Sequence, residues 1–349
     1  MTDPVIKPNP GYKRIATEEA FAPPQMLQMY RDLYESRSLD DPGFDSLWGF
    51  YLMSMAPRPQ LIREKLADVD AMRIADMDAS GIDHQVLSLT SPGVQVFPRD
   101  TAVSLARDSN DYLHDALRKH PTRFSGLAAI APQAPELAAQ ELERCVKMGF
   151  KGIINNSHTF GEYLSDSKFW PIFEAAEAMD MPIYIHPYTP PKNMIGPMLE
   201  AGLDGAIFGF GVETGMHLLR IITAGVFDRF PKLTIIVGHM GEALPYWMYR
   251  LDYMHAAGVR AGRYECMKPL RKKVSDYLRE NVYITNSGVA WEPAIKFAQQ
   301  VIGVDRVMYA MDYPYQFTPQ EVVDMDNMDM DPVSKKLFYQ GVAEKVFKL

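Results

Sequence analysis

Eight short apolar runs of strand length recur along this chain with helix-like amphipathic stretches between them, and that alternation constrains the fold more than any other feature. The runs lie near 12–20, 82–90, 124–132, 150–157, 181–187, 233–240, 281–288 and 305–313. Between them stand stretches such as TAVSLARDSNDYLHDALRKH, PELAAQELERCVKMG and EPAIKFAQQVIG, several of which end in Gly or run into Pro as helices do. Such an order predicts parallel strands joined by crossover helices, and eight units of it predict an α/β protein with a (β/α)8 TIM barrel. A doubly wound open sheet is the alternative, but no Gly-rich phosphate turn follows the first run. One domain over 1–349 is expected, with a long loop at 22–63 on the active-site side and a C-terminal helical extension at 318–349.

Composition narrows the partners. At 47% hydrophobic and 23% charged residues the chain has the make-up of an ordinary globular protein, and a net charge of −8 with no run of Lys or Arg argues against nucleic acid. Cys145 and Cys266 are too few for a disulfide framework, and Cys145, in ELERCVKMGF, is expected as a buried free thiol. The opening MTDPVIKPNPGYKR has neither the apolar core of a secretory signal nor a span, and no later run approaches the ~20 apolar residues a membrane crossing needs. The expectation is a cytoplasmic protein with no membrane partner.

Three runs end in side chains that carry chemistry: PIYIHP at His186, TIIVGHMGE at His239 and VMYAMDYP at Asp312. Singly, each is most simply a hydrogen-bonded structural group; together, as ends of parallel strands, they meet at the C-terminal mouth where barrel enzymes build their sites. The first run adds ATEEAF, in which strand alternation lets only one of Glu18 and Glu19 face inward, and the local pattern does not choose. With Glu18, the set of carboxylate, His186 imidazole and Asp312 carboxylate suits one divalent metal ion with open positions, Mn, Mg or Zn.

His239 is followed by Glu242, which could bond one imidazole nitrogen and raise the basicity of the other, the arrangement of an acid/base or polarising group. Arg58, in the long first loop, and Arg250, on the helix after His239, are by default surface ion pairs; they become binding candidates only if the substrate is a carboxylate. Thr90, His158, Tyr188 and Tyr315 follow strands and either line the pocket or pack locally. Phe210 could flank an aromatic ring.

From IATEEAF through YIHP, GHMGEALPYW and NSGVAWEP to YAMDYPY, the chain resembles the amidohydrolase superfamily, in its decarboxylase branch related to aminocarboxymuconate semialdehyde decarboxylase. Within that branch it is most similar to the decarboxylases of 5-carboxyvanillate, with those of γ-resorcylate and 2,3-dihydroxybenzoate as nearby relatives. The family's first strand carries a His-x-His or Glu-x-His pair; here Glu18 and Ala20 hold those positions, so one ligand is lost. Asn155 and Asn156 stand where binuclear members carry a bridging lysine.

The resemblance therefore implies a carboxy-lyase with one divalent metal, Mn2+ first and Zn2+ second, on Glu18, His186 and Asp312, and no organic cofactor. It implies Asp312 as proton donor, His239 with Glu242 beside the metal, and Arg58 and Arg250 toward a small aromatic carboxylate. It also implies a homodimer or higher homo-oligomer. The competing expectations are a metal-dependent hydrolase of an ester, lactone or amide, and a metal-stabilised binding protein without turnover.

Overall fold

The computed structural model describes residues 6–7 and 10–349. Nine strand segments run in chain order: β1 (Ile15–Phe21), β2 (His84–Leu89), β3 (Phe124–Gly126), β4 (Ala128–Ala129), β5 (Ile153–Asn155), β6 (Ile183–Ile185), β7 (Ile235–Val237), β8 (Val282–Thr285) and β9 (Val307–Met308). Each neighbouring pair is parallel, in the orders β1-β2-β3 and β4-β5-β6-β7-β8-β9. β3 and β4 are two halves of the third barrel strand: Leu127 between them bonds back to Leu87 at 2.8 Å while Ala128 bonds forward to Gly152 at 2.8 Å. The ring closes where Thr17 N donates to Tyr309 O at 3.1 Å and Ala20 N to Tyr313 O at 2.7 Å. All eight expected strands are present, and the fold is the (β/α)8 barrel.

Its layers follow from the residue pattern. Strands such as IIV and IYI are buried on both faces, as parallel strands between a filled interior and a helical shell must be. The helix Pro135–Lys147 buries Ala138, Leu142 and Cys145, one stripe at spacings of four and three, so Cys145 is the buried thiol its sequence suggests. The helix Arg99–Lys119 turns Leu105, Ala106, Ser109, Asn110 and Leu113 inward. Asn110 there exchanges two bonds with the Ala129 backbone, completing the short β4 edge.

Residues 22–63 differ from the expected loop. They form three helices, α1 (Pro24–Ser36), α2 (Pro42–Met53) and α3 (Pro57–Ala67), each with proline in its first turn, where the missing N–H is no loss. Asp41 caps α2 by accepting from Gly43 N and Phe44 N. Tyr30, Phe44 and Trp48 are fully buried, and the Tyr30 hydroxyl and Trp48 indole donate to Gly93 O and Ser91 O beyond β2. This segment is a packed wall over the barrel mouth. A further helix, Lys192–Ala201, follows β6 without having been expected.

The C-terminal extension is helical as expected, from Pro319–Asp326 to Val342–Phe347. It is fastened to the barrel by a buried ion pair in which Arg14, beside β1, meets Asp326 at 2.5 Å, with Tyr12 donating to the same carboxylate at 2.9 Å. Removing one member of such a pair strands a buried charge, at a cost of about 3–5 kcal/mol, whereas replacing both by apolar groups is often neutral. Arg14→Met is accordingly expected to lower unfolding stability by about 3 kcal/mol or more, and Arg14→Met with Asp326→Leu to recover most of that loss. Equal losses in urea melts of the single and double variants would show that the pairing is not what matters.

Candidate metal and active site

The first strand is irregular at the residue that matters. Between Ala16 and Glu19 its register against β2 slips, three residues opposing two, and Glu18 sits in that bulge. A bulge re-aims a side chain, and here it turns the Glu18 carboxylate into the barrel interior, 3% exposed. Two neighbours hold it there. The Tyr184 hydroxyl on β6 and the Thr285 hydroxyl on β8 (2.9 Å) both donate to Glu18 Oε2. Gly238 lies so close that any β-carbon would run into this carboxylate.

The other oxygen, Glu18 Oε1, is buried and has no hydrogen-bond partner. It faces His186 Nε2 at 3.4 Å and His239 Nε2 at 3.6 Å. Both distances are long for a hydrogen bond, but two ligands each about 2.1 Å from a shared ion stand about 3.0–3.5 Å apart. Among the described residues no three His, Cys, Asp or Glu side chains close into a finished ion cage. What fits a divalent cation is the donor chemistry: an orphaned carboxylate oxygen beside an imidazole nitrogen, with a further carboxylate, Asp312, across the mouth.

The two histidines are not equivalent. His186 donates from Nδ1 to Pro187 O at 2.8 Å, which leaves Nε2 as the lone-pair atom. Burial holds its pKa below the usual value against the pull of Glu18, with His239 adding to the depression, which favours the neutral imidazole. For His239 burial also acts downward, but Glu18, Glu242 and Asp312 outweigh it and raise the pKa to about 10. Its Nδ1 bonds Glu242 Oε1 at 2.8 Å. The surrounding carboxylates thus favour the imidazolium form of His239, as suits a polarising or proton-sharing group, while burial favours the neutral form of His186, as suits a ligand.

An unusual backbone makes the His239–Glu242 contact. From His239 through Ala243 every φ is positive, 50°, 58°, 70°, 51° and 60°, a single left-handed turn of which only Gly241 is a glycine. Left-handed helical residues cost about 1–2 kcal/mol each outside glycine. Strain of this kind collects at functional sites and persists only where packing over-determines it. Asp312, just past the last strand, is left-handed as well, with φ 57°. Burial pushes its carboxyl up to about 7, with His239 opposing and Glu18 and Glu321 adding to the rise.

Asp312, His239 and Glu242 share a cleft of about 650 Å3 with Phe210, Met216, Trp247, Val289 and Gln316. A β-carbon on Gly288 would stand 3.3 Å from both Asp312 Oδ2 and His239 Cδ2, so these two groups flank one point. The largely apolar lining suits an aromatic ring held against ionic groups at one end.

Of the other expected site residues, Phe210 lines this cleft. Thr90 and Tyr315 bond each other through their hydroxyls at 2.6 Å, and Tyr315 stacks edge-on with Tyr51 at 5.5 Å. Tyr188 and His158 are not among the residues lining that cleft. The Tyr188 hydroxyl donates to Asp41 at 2.8 Å, and the His158 ring is occupied by Thr189 O and Gly161 N. Their polar atoms pin the α2 wall and its neighbouring loop, because both side chains are buried beneath it. Arg58, on α3, donates to Tyr315 O at 2.8 Å and borders a separate small recess. Arg250 stands on the exposed face of the helix Leu244–Ala261, whose Trp247 and Leu251 face the cleft instead. Sequence reasoning missed Tyr184 and Thr285. A signal for Tyr184 was available, since it is two residues before His186 and so shares its inward face.

Comparison with known proteins gives the family. The family description "Amidohydrolase" matches residues 53–349. A gamma-resorcylate decarboxylase of Polaromonas sp. strain JS666 is 36% identical over 347 residues, covering 96% of this chain and 98% of the relative. The crystal structure of a 5-carboxyvanillate decarboxylase from Novosphingobium aromaticivorans, complexed with manganese and 4-hydroxy-3-methoxy-5-nitrobenzoic acid, superposes with a TM-score of 0.97 at 59% identity, covering 100% of both chains. That of a 5-carboxyvanillate decarboxylase from Sphingomonas paucimobilis gives 0.91 at 39% identity, over 97% of this chain and 99% of the other. With a barrel, a ligand-poised carboxylate and histidine at its mouth, and this similarity along its whole length, the chain belongs to the amidohydrolase family.

Proposed function

We propose that this protein is a metal-dependent, non-oxidative decarboxylase of an ortho-hydroxylated aromatic carboxylate, with 5-carboxyvanillate, converted to vanillate, as its substrate. The observation that carries this is the full-length match, at 59% identity, to a 5-carboxyvanillate decarboxylase holding manganese and a nitro analogue. The partnerless Glu18 oxygen beside His186 supports the metal requirement, and manganese is the ion of choice. When bound by Glu18, His186 and Asp312, the ion supplies Lewis-acid charge to the carboxylate and phenolate oxygens of the substrate.

The chain's own residues do the rest. The His239 imidazolium, held by Glu242, faces developing phenolate charge and stabilises it or shares its proton. Asp312 delivers a proton to the ring carbon bearing the carboxylate. The carbon–carbon bond then breaks, its electron pair returns to the ring, aromaticity is restored and CO2 leaves. Asp312 regains a proton from the phenol or solvent. The apolar cleft wall with Phe210 holds the ring and excludes water.

Thr90 and Tyr315 are suited to a polar ring substituent, and Arg58, beside Tyr315, to a carboxylate. Arg250 serves such a role only from a neighbouring copy. Its helix face also exposes Tyr246, Tyr249 and Tyr253 at 78%, 85% and 60%, which supports a homo-oligomer. Among the described residues no helix is long and apolar enough to cross a membrane.

Turnover of 5-carboxyvanillate in deuterated water is expected to give vanillate with one deuteron at the vacated ring carbon; product lacking the label would eliminate ring protonation. Asp312→Asn is expected to lower kcat by about 10²–10⁴, the usual worth of a positioned general acid, while most bound manganese is kept. Comparable turnover in that variant removes Asp312 from proton transfer. Tyr184→Phe deletes one of the two donors that orient Glu18, and manganese affinity is expected to fall about tenfold, at the low end for outer partners of metal ligands. An unchanged dissociation constant would mean that Thr285 alone suffices.

A further inference from the structure

Strand β1 carries two adjacent carboxylates, and the metal site uses only one. Glu19 is fully buried and has turned to the opposite side, into the seam where the first and last strands meet. Regular backbone bonds cross this seam from Thr17 N to Tyr309 O and from Ala20 N to Tyr313 O. Between those crossings the Met311 N–H donates instead to Glu19 Oε1, at 2.8 Å. The carboxylate takes the place of a strand carbonyl at the residue immediately before Asp312.

Glu19 is itself held from behind. Its Oε2 accepts from Gln85 Nε2 at 3.3 Å, and Gln85 Oε1 accepts from the Arg73 guanidinium at 3.3 Å. Arg73 is fully buried, donates to Ala20 O at 2.6 Å and lies 4.4 Å from the centre of the Tyr313 ring. Residues on both sides of Asp312 are thus tied to β1 through one buried network, and Asp312 between them holds a left-handed backbone that a non-glycine residue keeps only under constraint.

We propose that Glu19 is a positioning residue: by holding the Met311 backbone across the barrel seam it sets the placement of the Asp312 carboxylate at the metal site. This rests on the reading of Asp312 as metal ligand and proton donor. A merely structural Glu19 would change the folded fraction and leave the folded molecules with normal ion affinity and turnover.

The test compares Glu19→Gln, which keeps an acceptor oxygen at the same reach, with Glu19→Asp, which withdraws it by one methylene. Manganese affinity is measured from the spin-resonance signal of free Mn2+, scaled to folded protein, alongside kcat and KM for 5-carboxyvanillate. Glu19→Asp is expected to weaken manganese about tenfold and to lower kcat with little change in KM, and Glu19→Gln to restore affinity to within about threefold of the parent. In an Asp312→Gly background, where glycine tolerates the positive φ, Glu19→Asp is expected to cause no further loss, since nothing is left to position.

Should Glu19→Asp fail to fold, Gln85→Met loosens the same carboxylate from behind, with a loss of about threefold expected and likewise abolished in the Asp312→Gly background. Parent-like affinity in the folded variant, or the same loss with and without Asp312, overturns the proposal. If the parent binds manganese but does not decarboxylate 5-carboxyvanillate, the functional reading fails while the affinity comparison still decides the role of Glu19.

Discussion

The site depends on one carboxylate that is satisfied at one oxygen and not at the other. Tyr184 and Thr285 saturate Glu18 Oε2, while Oε1 is buried without a partner. Leaving a buried acceptor unpaired costs about 1–3 kcal/mol, more when it is charged, so the arrangement makes physical sense as one half of a site for a cation. The rest of the mouth is organised around it. His186 approaches with a free Nε2, and the charge of Glu18 helps keep His239 protonated on the other side. Glu18 pulls on both histidines alike, and what separates them is the partner of Nδ1: a carbonyl, Pro187 O, for His186 and a carboxylate, Glu242, for His239.

Backbone irregularity is what brings these groups to one point. A bulge in β1 aims Glu18 inward, a left-handed turn joins His239 to Glu242, and a left-handed residue sets Asp312. Each departs from regular geometry, the first in the middle of β1 and the other two just beyond the ends of β7 and β9. The regular parts, eight buried parallel strands and their helical shell, supply the packing that can hold such departures in place.

That division also accounts for what could be read from the residues. The eight strand runs were legible because doubly buried parallel strands are continuous apolar segments, and the strand-end positions of His186, His239 and Asp312 followed from them. The choice of Glu18 over Glu19 came from the family resemblance and not from the local pattern, since a period of two cannot be applied across a bulge and every residue of β1 is buried. The left-handed turn left only Gly238 and Gly241 as traces. The helical wall at 22–63 was missed although Pro24, Pro42, Pro57 and the Asp41 cap marked three helix starts and Phe44, Trp48 and Leu52 recur at spacings of four along α2. Tyr188 and His158 stayed open between lining the pocket and packing locally, because a polar group after a strand can serve the wall above the site as readily as the site.

The most direct test of the account is the position of the metal in a crystal of the manganese-loaded protein, read from anomalous scattering at the manganese edge. The account predicts one peak about 2.2 Å from Glu18 Oε1 and His186 Nε2, with an Asp312 oxygen completing the protein ligands and His239 outside bonding distance. A peak that avoids Glu18, or full decarboxylation by protein freed of metal, would contradict it.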